Sequence, residues 1–279
     1  MIEQTELTDL KPEVFKTLTA HRRLPALINF RISQPELFHP ATLSELRPDA
    51  PVQVRVYKHD RQLLPRDKWT SYCDYSSMSI REYVTKVADG SAAKEKLYLA
   101  LFEVGGLPQA KPFSSYLDEI ANATGLIKRP HNDVNLWIAP PSHSEALHYD
   151  GDDGTLLQFH GSKHITLIPP KRSGDLYPFP ILRSGMPSNF SRIDLAAIDK
   201  NKYPKALRAL ESSIQFTLHA GQALFIPAGW WHQVEASDTP EGVVSINRFW
   251  STRHLPYIAS RPRVALIALM AEALASFRS

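Results

Sequence analysis

The sequence predicts a fold that is mainly β with flanking helices: a double-stranded β-helix of the jelly-roll kind, with helical N-terminal and C-terminal additions. Two observations carry this expectation. Between residues 134 and 250, eight short strand-like runs follow one another, separated by Pro, Gly and Asp. Helical periodicity is confined to two stretches of the first half, one insert and the tail.

In chain order, 24–30 reads as a short buried strand and 52–57, which alternates apolar and polar residues, as a half-buried one. Residues 79–87 have a serine at the position of an N-cap followed by helical periodicity, so they read as a capped amphipathic helix. Residues 96–102 form another candidate strand and 112–123 another helix. The eight later runs are 134–138, 146–150, 155–160, 163–168, 213–218, 223–227, 232–235 and 242–250. Between the fourth and fifth lies an insert, 169–210, with proline-rich loop character first and a predicted helix over 193–210. The tail at 262–277 opens on proline and is apolar around most of its circumference, which predicts a buried helix. The expected organisation is a mixed α/β part at 1–125 packing on a catalytic barrel at 126–255. A C-terminal helix within 256–279 follows as a candidate dimerisation element.

Composition narrows the function classes. The chain has 279 residues, 43% hydrophobic and 22% charged, with 22 Pro and 12 Gly, as in an ordinary globular protein rich in rigid turns. A net charge of +3 is too mild to suggest a nucleic-acid partner. A single cysteine, Cys73, excludes an intramolecular disulfide and reads as an unreactive, half-buried thiol. The apolar run 264–271 falls well short of the ~18 residues of a membrane span. The acidic first residues carry no apolar signal, so a cytoplasmic protein is expected.

The chemistry lies in His148-Tyr149-Asp150 and in His232 of the segment 225–232. In a strand, residues i and i+2 project to one side, so His148 and Asp150 can reach one metal ion while Tyr149 points away. His232, arriving from another strand, completes a set of two imidazoles and one carboxylate. Such a set leaves coordination positions open for a chelating cosubstrate and O2, as non-haem Fe(II) oxygenases require.

On these residues the chain resembles the Jumonji C, or cupin-like, Fe(II)/2-oxoglutarate oxygenases, especially the class that includes the asparaginyl hydroxylase factor inhibiting HIF. The resemblance covers about residues 95 to 250. Besides the triad, it rests on Leu97-Tyr98-Leu99, on the Gly-Ser-Lys strand ending in Pro-Pro at 161–170, and on 245–250, which contains Asn247. It implies a cupin-like barrel with His148, Asp150 and His232 as ligands of Fe(II) and as the catalytic centre. It further implies that 2-oxoglutarate chelates the iron and that O2 takes the last position. Lys163, fifteen residues after His148, and Tyr98 would then receive the distal carboxylate, with Asn247 and Gln158 lining the cosubstrate site.

The chain departs from the pattern at Glu145, where the hydroxylase has a carboxylate-binding threonine, and at Gly154 in place of an asparagine. A carboxylate facing a dicarboxylate repels it. Glu145 must therefore turn outward, bind a substrate cation or alter cosubstrate recognition. Retained Asp150 favours hydroxylation over the halogenation of relatives that lack this carboxylate.

The expected reaction is hydroxylation of a C–H bond in an amino-acid residue of a protein or peptide, with release of succinate and CO2. A free amino acid or other small metabolite is the alternative substrate. Glu145, Tyr149, Arg248 and Trp231 are candidate substrate contacts, and 174–189, with Tyr177 and Arg183, is a candidate lid. Two rivals from other classes stay open: a non-catalytic cupin-like binding or sensing module, and a Zn2+ or Mn2+ hydrolase or isomerase. Dimerisation of related oxygenases through C-terminal helices implies a homodimer here.

Overall fold

A computed structural model describes residues 2–45, 48–49, 51–57, 73–104, 111–126, 133–180 and 186–252. The predicted C-terminal helix and Arg183 of the predicted lid lie outside these residues.

Among the described residues, twelve strands form two sheets. They are β1 (Glu3–Glu6), β2 (Ala26–Asn29), β3 (Pro51–Val56), β4 (Asp74–Ser79), β5 (Leu97–Glu103), β6 (Asn135–Ala139), β7 (Asp153–His160), β8 (Ser162–Ile168), β9 (Ile214–His219), β10 (Gln222–Ile226), β11 (Trp231–Ala236) and β12 (Val243–Trp250). The large sheet runs β1-β2-β10-β7-β12-β6-β5-β3-β4 and the small one β11-β8-β9. All pairings are antiparallel except β1 with β2. The chain is thus mostly β and cupin-like, as expected.

The large sheet is covered on both faces, which explains why its strands read as nearly continuous apolar runs. On the outer face pack the helices Pro12–Leu18, Ile80–Ala88 and Lys111–Thr124, in one core containing Phe15, Phe38, Tyr83, Leu117, Ile120, Phe225, Ile246 and Trp250. Toward the small sheet, Leu27, Leu224 and Ile226 meet Ile165, Leu167 and Leu218. Alternation sorts β12 in the same way. Ile246 and Trp250 join the outer core, whereas Asn247 accepts hydrogen bonds from Asn135 and Trp137. Ser79 caps the helix Ile80–Ala88 by accepting from the Glu82 backbone N–H (3.1 Å), as the sequence predicts.

Two predicted elements are corrected. The run 146–150 is no regular strand. It lies beside β11 through isolated bridges, Ser144 to Glu235 and His148 to His232, and His148 also bridges to Phe190. Only Ala206–Leu210 of the predicted helix 193–210 is helical. The Asp194 side chain accepts from the Ala196 N–H, and Asp199 from those of Asn201 and Lys202, closing local turns that compete with helix. Pro204 removes a further donor. No helix among the described residues is long and apolar enough to cross a membrane.

Candidate metal centre and cosubstrate site

His148, Asp150 and His232 come together, each offering a ligand atom within 4.8 Å of the others. Two neighbouring segments hold them. His148 and His232 exchange backbone hydrogen bonds (3.1 and 2.7 Å), and the Asp150 carbonyl accepts from the Gly229 N–H (2.9 Å). Gly229 has φ +81°, a left-handed conformation that glycine adopts without strain in the turn leading into β11.

The imidazoles are oriented for a metal. His148 donates from Nδ1 to the Ala146 carbonyl (2.7 Å) and His232 from Nδ1 to the Trp230 carbonyl (3.0 Å). A carbonyl can only accept, so both Nδ1 atoms carry the proton and both Nε2 lone pairs are left for an ion. His232 Nε2 lies 3.5 Å from Asp150 Oδ2. Burial, and then the neighbouring His148, lower the His232 pKa to about 4, so its ring is neutral near pH 7. The Phe190 ring stacks on His148, with centroids 4.9 Å apart. This donor set fits an octahedral ion that keeps sites open for exogenous ligands.

Beside the triad, between the sheets, lies a buried polar cluster. Lys163 is buried and donates from Nζ to Ser245 Oγ. Its pKa is lowered to about 7 by burial, with Glu145 acting in the opposite sense. The Tyr98 ring packs on that of His143 (4.0 Å), and burial raises its hydroxyl pKa. Burial, and then Lys163 and Arg55, lower His143 to about 3, which leaves it a neutral ring.

Glu145 does not turn outward. It is buried, and its Oε1 accepts from the Tyr57 hydroxyl (2.7 Å), with Arg55 Nη1 at 3.4 Å and His143 Nε2 at 3.5 Å. Its nearest cation therefore belongs to the protein itself. Burial raises the Glu145 pKa, while Arg55 and the Tyr57 hydrogen bond oppose the shift. Arg55 and Tyr57, missed as site residues, alternate with buried Val52 and Val54 along β3 and just past its end, and Arg55 is opposite Tyr98 on β5. Alternation in 52–57 gave their face, but only the sheet pairing shows what that face meets.

The remaining predicted positions are occupied within the fold. Gln158 donates from Nε2 to the carbonyls of His160 (2.7 Å) and Gly161 (3.3 Å), bracing the β7–β8 turn. Tyr149 and Trp231 pack edge to face in a separate core with Leu147 and Ile168, and Trp231 is fully buried. Arg248 donates to Asp118 (2.7 Å) and Asp133 (3.2 Å), off the barrel interior. Tyr149 and Trp231 are thus held by core packing, and Arg248 by two carboxylates.

Sequence comparison agrees with this geometry. Residues 5–254 match the family described as Cupin-like domain, so the chain belongs to the cupin-like, JmjC-related family whose members use Fe(II) and 2-oxoglutarate. Among its relatives, Lysine-specific demethylase JMJ31 of Arabidopsis thaliana is 29% identical over 217 residues, 72% of this chain and 37% of that protein. HSPB1-associated protein 1 of Homo sapiens is 27% identical over 267 residues, 88% and 51% of the two chains. tRNA wybutosine-synthesizing protein 5 of Mus musculus is 38% identical over 120 residues, 43% and 33%. The chain therefore spans about half or less of the length of these relatives.

Proposed function

We propose that the chain is an Fe(II)- and 2-oxoglutarate-dependent oxygenase that hydroxylates a C–H bond of an amino-acid residue in a protein or peptide. The observation that carries this reading is the pairing of a His-Asp-His site, both Nε2 atoms turned inward, with a buried lysine in the adjoining cluster. His148, Asp150 and His232 would hold the iron. Iron bound there, with O2 and 2-oxoglutarate, supplies oxidising power by coupling decarboxylation of the 2-oxo acid to oxygen insertion into a C–H bond.

The protein's own groups do the rest. Lys163, bonded to Ser245, offers the positive charge that receives the far carboxylate of 2-oxoglutarate. Phe190 and the core around Tyr149 and Trp231 fix His148 and His232 and keep water from their outer sides. The names of the relatives support both protein and RNA substrates; net charge favours the former.

The test is an untargeted search for +16 Da products in peptide, metabolite and tRNA extracts, with and without 2-oxoglutarate, using Asp150→Ala as control. Dependence on 2-oxoglutarate, succinate release and loss in the variant are expected. Formaldehyde alongside succinate would identify an N-methyl C–H as the target. Full turnover by Asp150→Ala would reject the metal site. No succinate from any extract would favour a binding module.

A further inference from the structure

Glu145 stands in the path between the metal ligands and Lys163. Its backbone N–H donates to the Val234 carbonyl (2.9 Å), and Val234 is two residues along β11 from His232. Two residues of strand advance about 6.6–6.8 Å on one face. One further step along β11, Ala236 pairs with Lys163 on β8 and donates to the His143 carbonyl (2.7 Å). The inward order from the metal is thus His232 with His148, then Glu145, then Lys163 with His143. A 2-oxo diacid held at the triad by its oxo-acid end would extend its other carboxylate along this row.

The carboxylate already in the row is firmly held. Tyr57 and Arg55 from β3 and His143 surround it, and Lys163 is close enough for the two charges to act on each other. The Arg55 guanidinium also lies over the Trp137 ring, at 5.8 Å. Two negative charges in so confined an interior repel strongly, because little water screens them.

We propose that Glu145 is an internal competitor for the far carboxylate of the cosubstrate. Held by Arg55 and Tyr57 beside Lys163, it weakens the affinity for 2-oxoglutarate and thereby sets the cosubstrate concentration at which the protein works. The proposal rests on the reading of this site as a 2-oxoglutarate site.

Titration calorimetry on the Mn(II)-loaded chain under anaerobic conditions tests it, with 2-oxoglutarate and with 2-oxobutyrate, which lacks the far carboxylate. Glu145→Gln keeps the shape and removes the charge. It should bind 2-oxoglutarate about ten- to a hundredfold more tightly, the order expected from deleting one like charge several ångströms away. Its affinity for 2-oxobutyrate should not change. A change of equal size for both ligands would mark a structural effect and overturn the proposal, as would unchanged or weaker binding of 2-oxoglutarate.

If Glu145→Gln fails to fold because Arg55 is left buried without its anion, the double variant Glu145→Gln/Arg55→Gln removes both charges. It should bind 2-oxoglutarate more tightly than the single variant Arg55→Gln, which isolates the Glu145 charge, and equal or weaker binding than Arg55→Gln would overturn the proposal. Mn(II) uptake with no 2-oxoglutarate binding in any variant would reject the cosubstrate reading itself, and the proposal with it. Binding by the variant alone would support competition in its strongest form.

Discussion

Lys163 is the side chain whose behaviour most directly reports the chemistry of the site. Burial holds its pKa at about 7, so near neutrality the empty protein carries a mixture of charged and neutral lysine. A carboxylate placed against it favours the charged form, so binding takes up a proton above pH 7. Affinity for 2-oxoglutarate is then complete below pH 7. As pH rises through 7 it should fall by up to about tenfold per unit, until the pKa of the complex is reached. Calorimetry at pH 6.5 to 8.5, in two buffers of different ionisation enthalpy, should show about one proton taken up at the alkaline end. Affinity independent of pH would remove Lys163 from carboxylate binding. The lysine was visible in the sequence through its spacing from His148. Its burial was not, because that depends on which strands cover β8.

At the scale of elements, the His-Asp-His triad is held by a segment from the N-terminal end of the chain. After the helix Pro12–Leu18, the residues Ala20, His21 and Arg22 all have positive φ (45°, 61° and 66°), a conformation costly for side-chain-bearing residues. This turn brings the Arg22 guanidinium onto the fully buried Asp153, while Trp230 donates from its ring nitrogen to the Arg23 carbonyl (2.9 Å). Asp153 also accepts from the Ala228 N–H (2.8 Å). One buried ion pair thus fastens both the chain after Asp150 and the turn before His232. Arg22→Ala leaves a buried carboxylate without its cation and should lower stability by roughly 3–5 kcal/mol, read as a lowered urea midpoint. A change below about 1 kcal/mol would show that Asp153 is satisfied without the arginine. Nothing local in the sequence marks Arg22 as partnered, since its carboxylate lies 131 positions away.

Across the whole molecule, the double cover of the large sheet explains both the length of the apolar runs and the use of the N-terminal strands. Strands β3 and β5 join the same sheet as β6, β7 and β12, which sets Arg55, Tyr57 and Tyr98 against the barrel's polar cluster. The apolar tail at 262–277 is read as a dimerisation helix. Light scattering should therefore give twice the 31.5 kDa of one chain, and a single-chain mass would reject the homodimer.

Period and spacing made the strands from 134 onward legible, along with the capped helix and the three residues of the His-Asp-His triad. These depend on local alternation, on turn residues and on donor types that keep their meaning wherever the chain goes. Short stretches whose own side chains close turns, such as 193–205, escaped the same reasoning, because local hydrogen bonding overrode periodicity. The fate of Glu145 was decided only by tertiary structure. The sequence marked it as a charge out of place, and left it facing solvent, a substrate or a cosubstrate. Strand β3, some ninety residues earlier in the chain, brings Arg55 and Tyr57 to it and turns it into a buried, partnered anion. A charge is tolerated in the interior only where other parts of the chain supply its partners, and that pairing is a property of the assembled sheets.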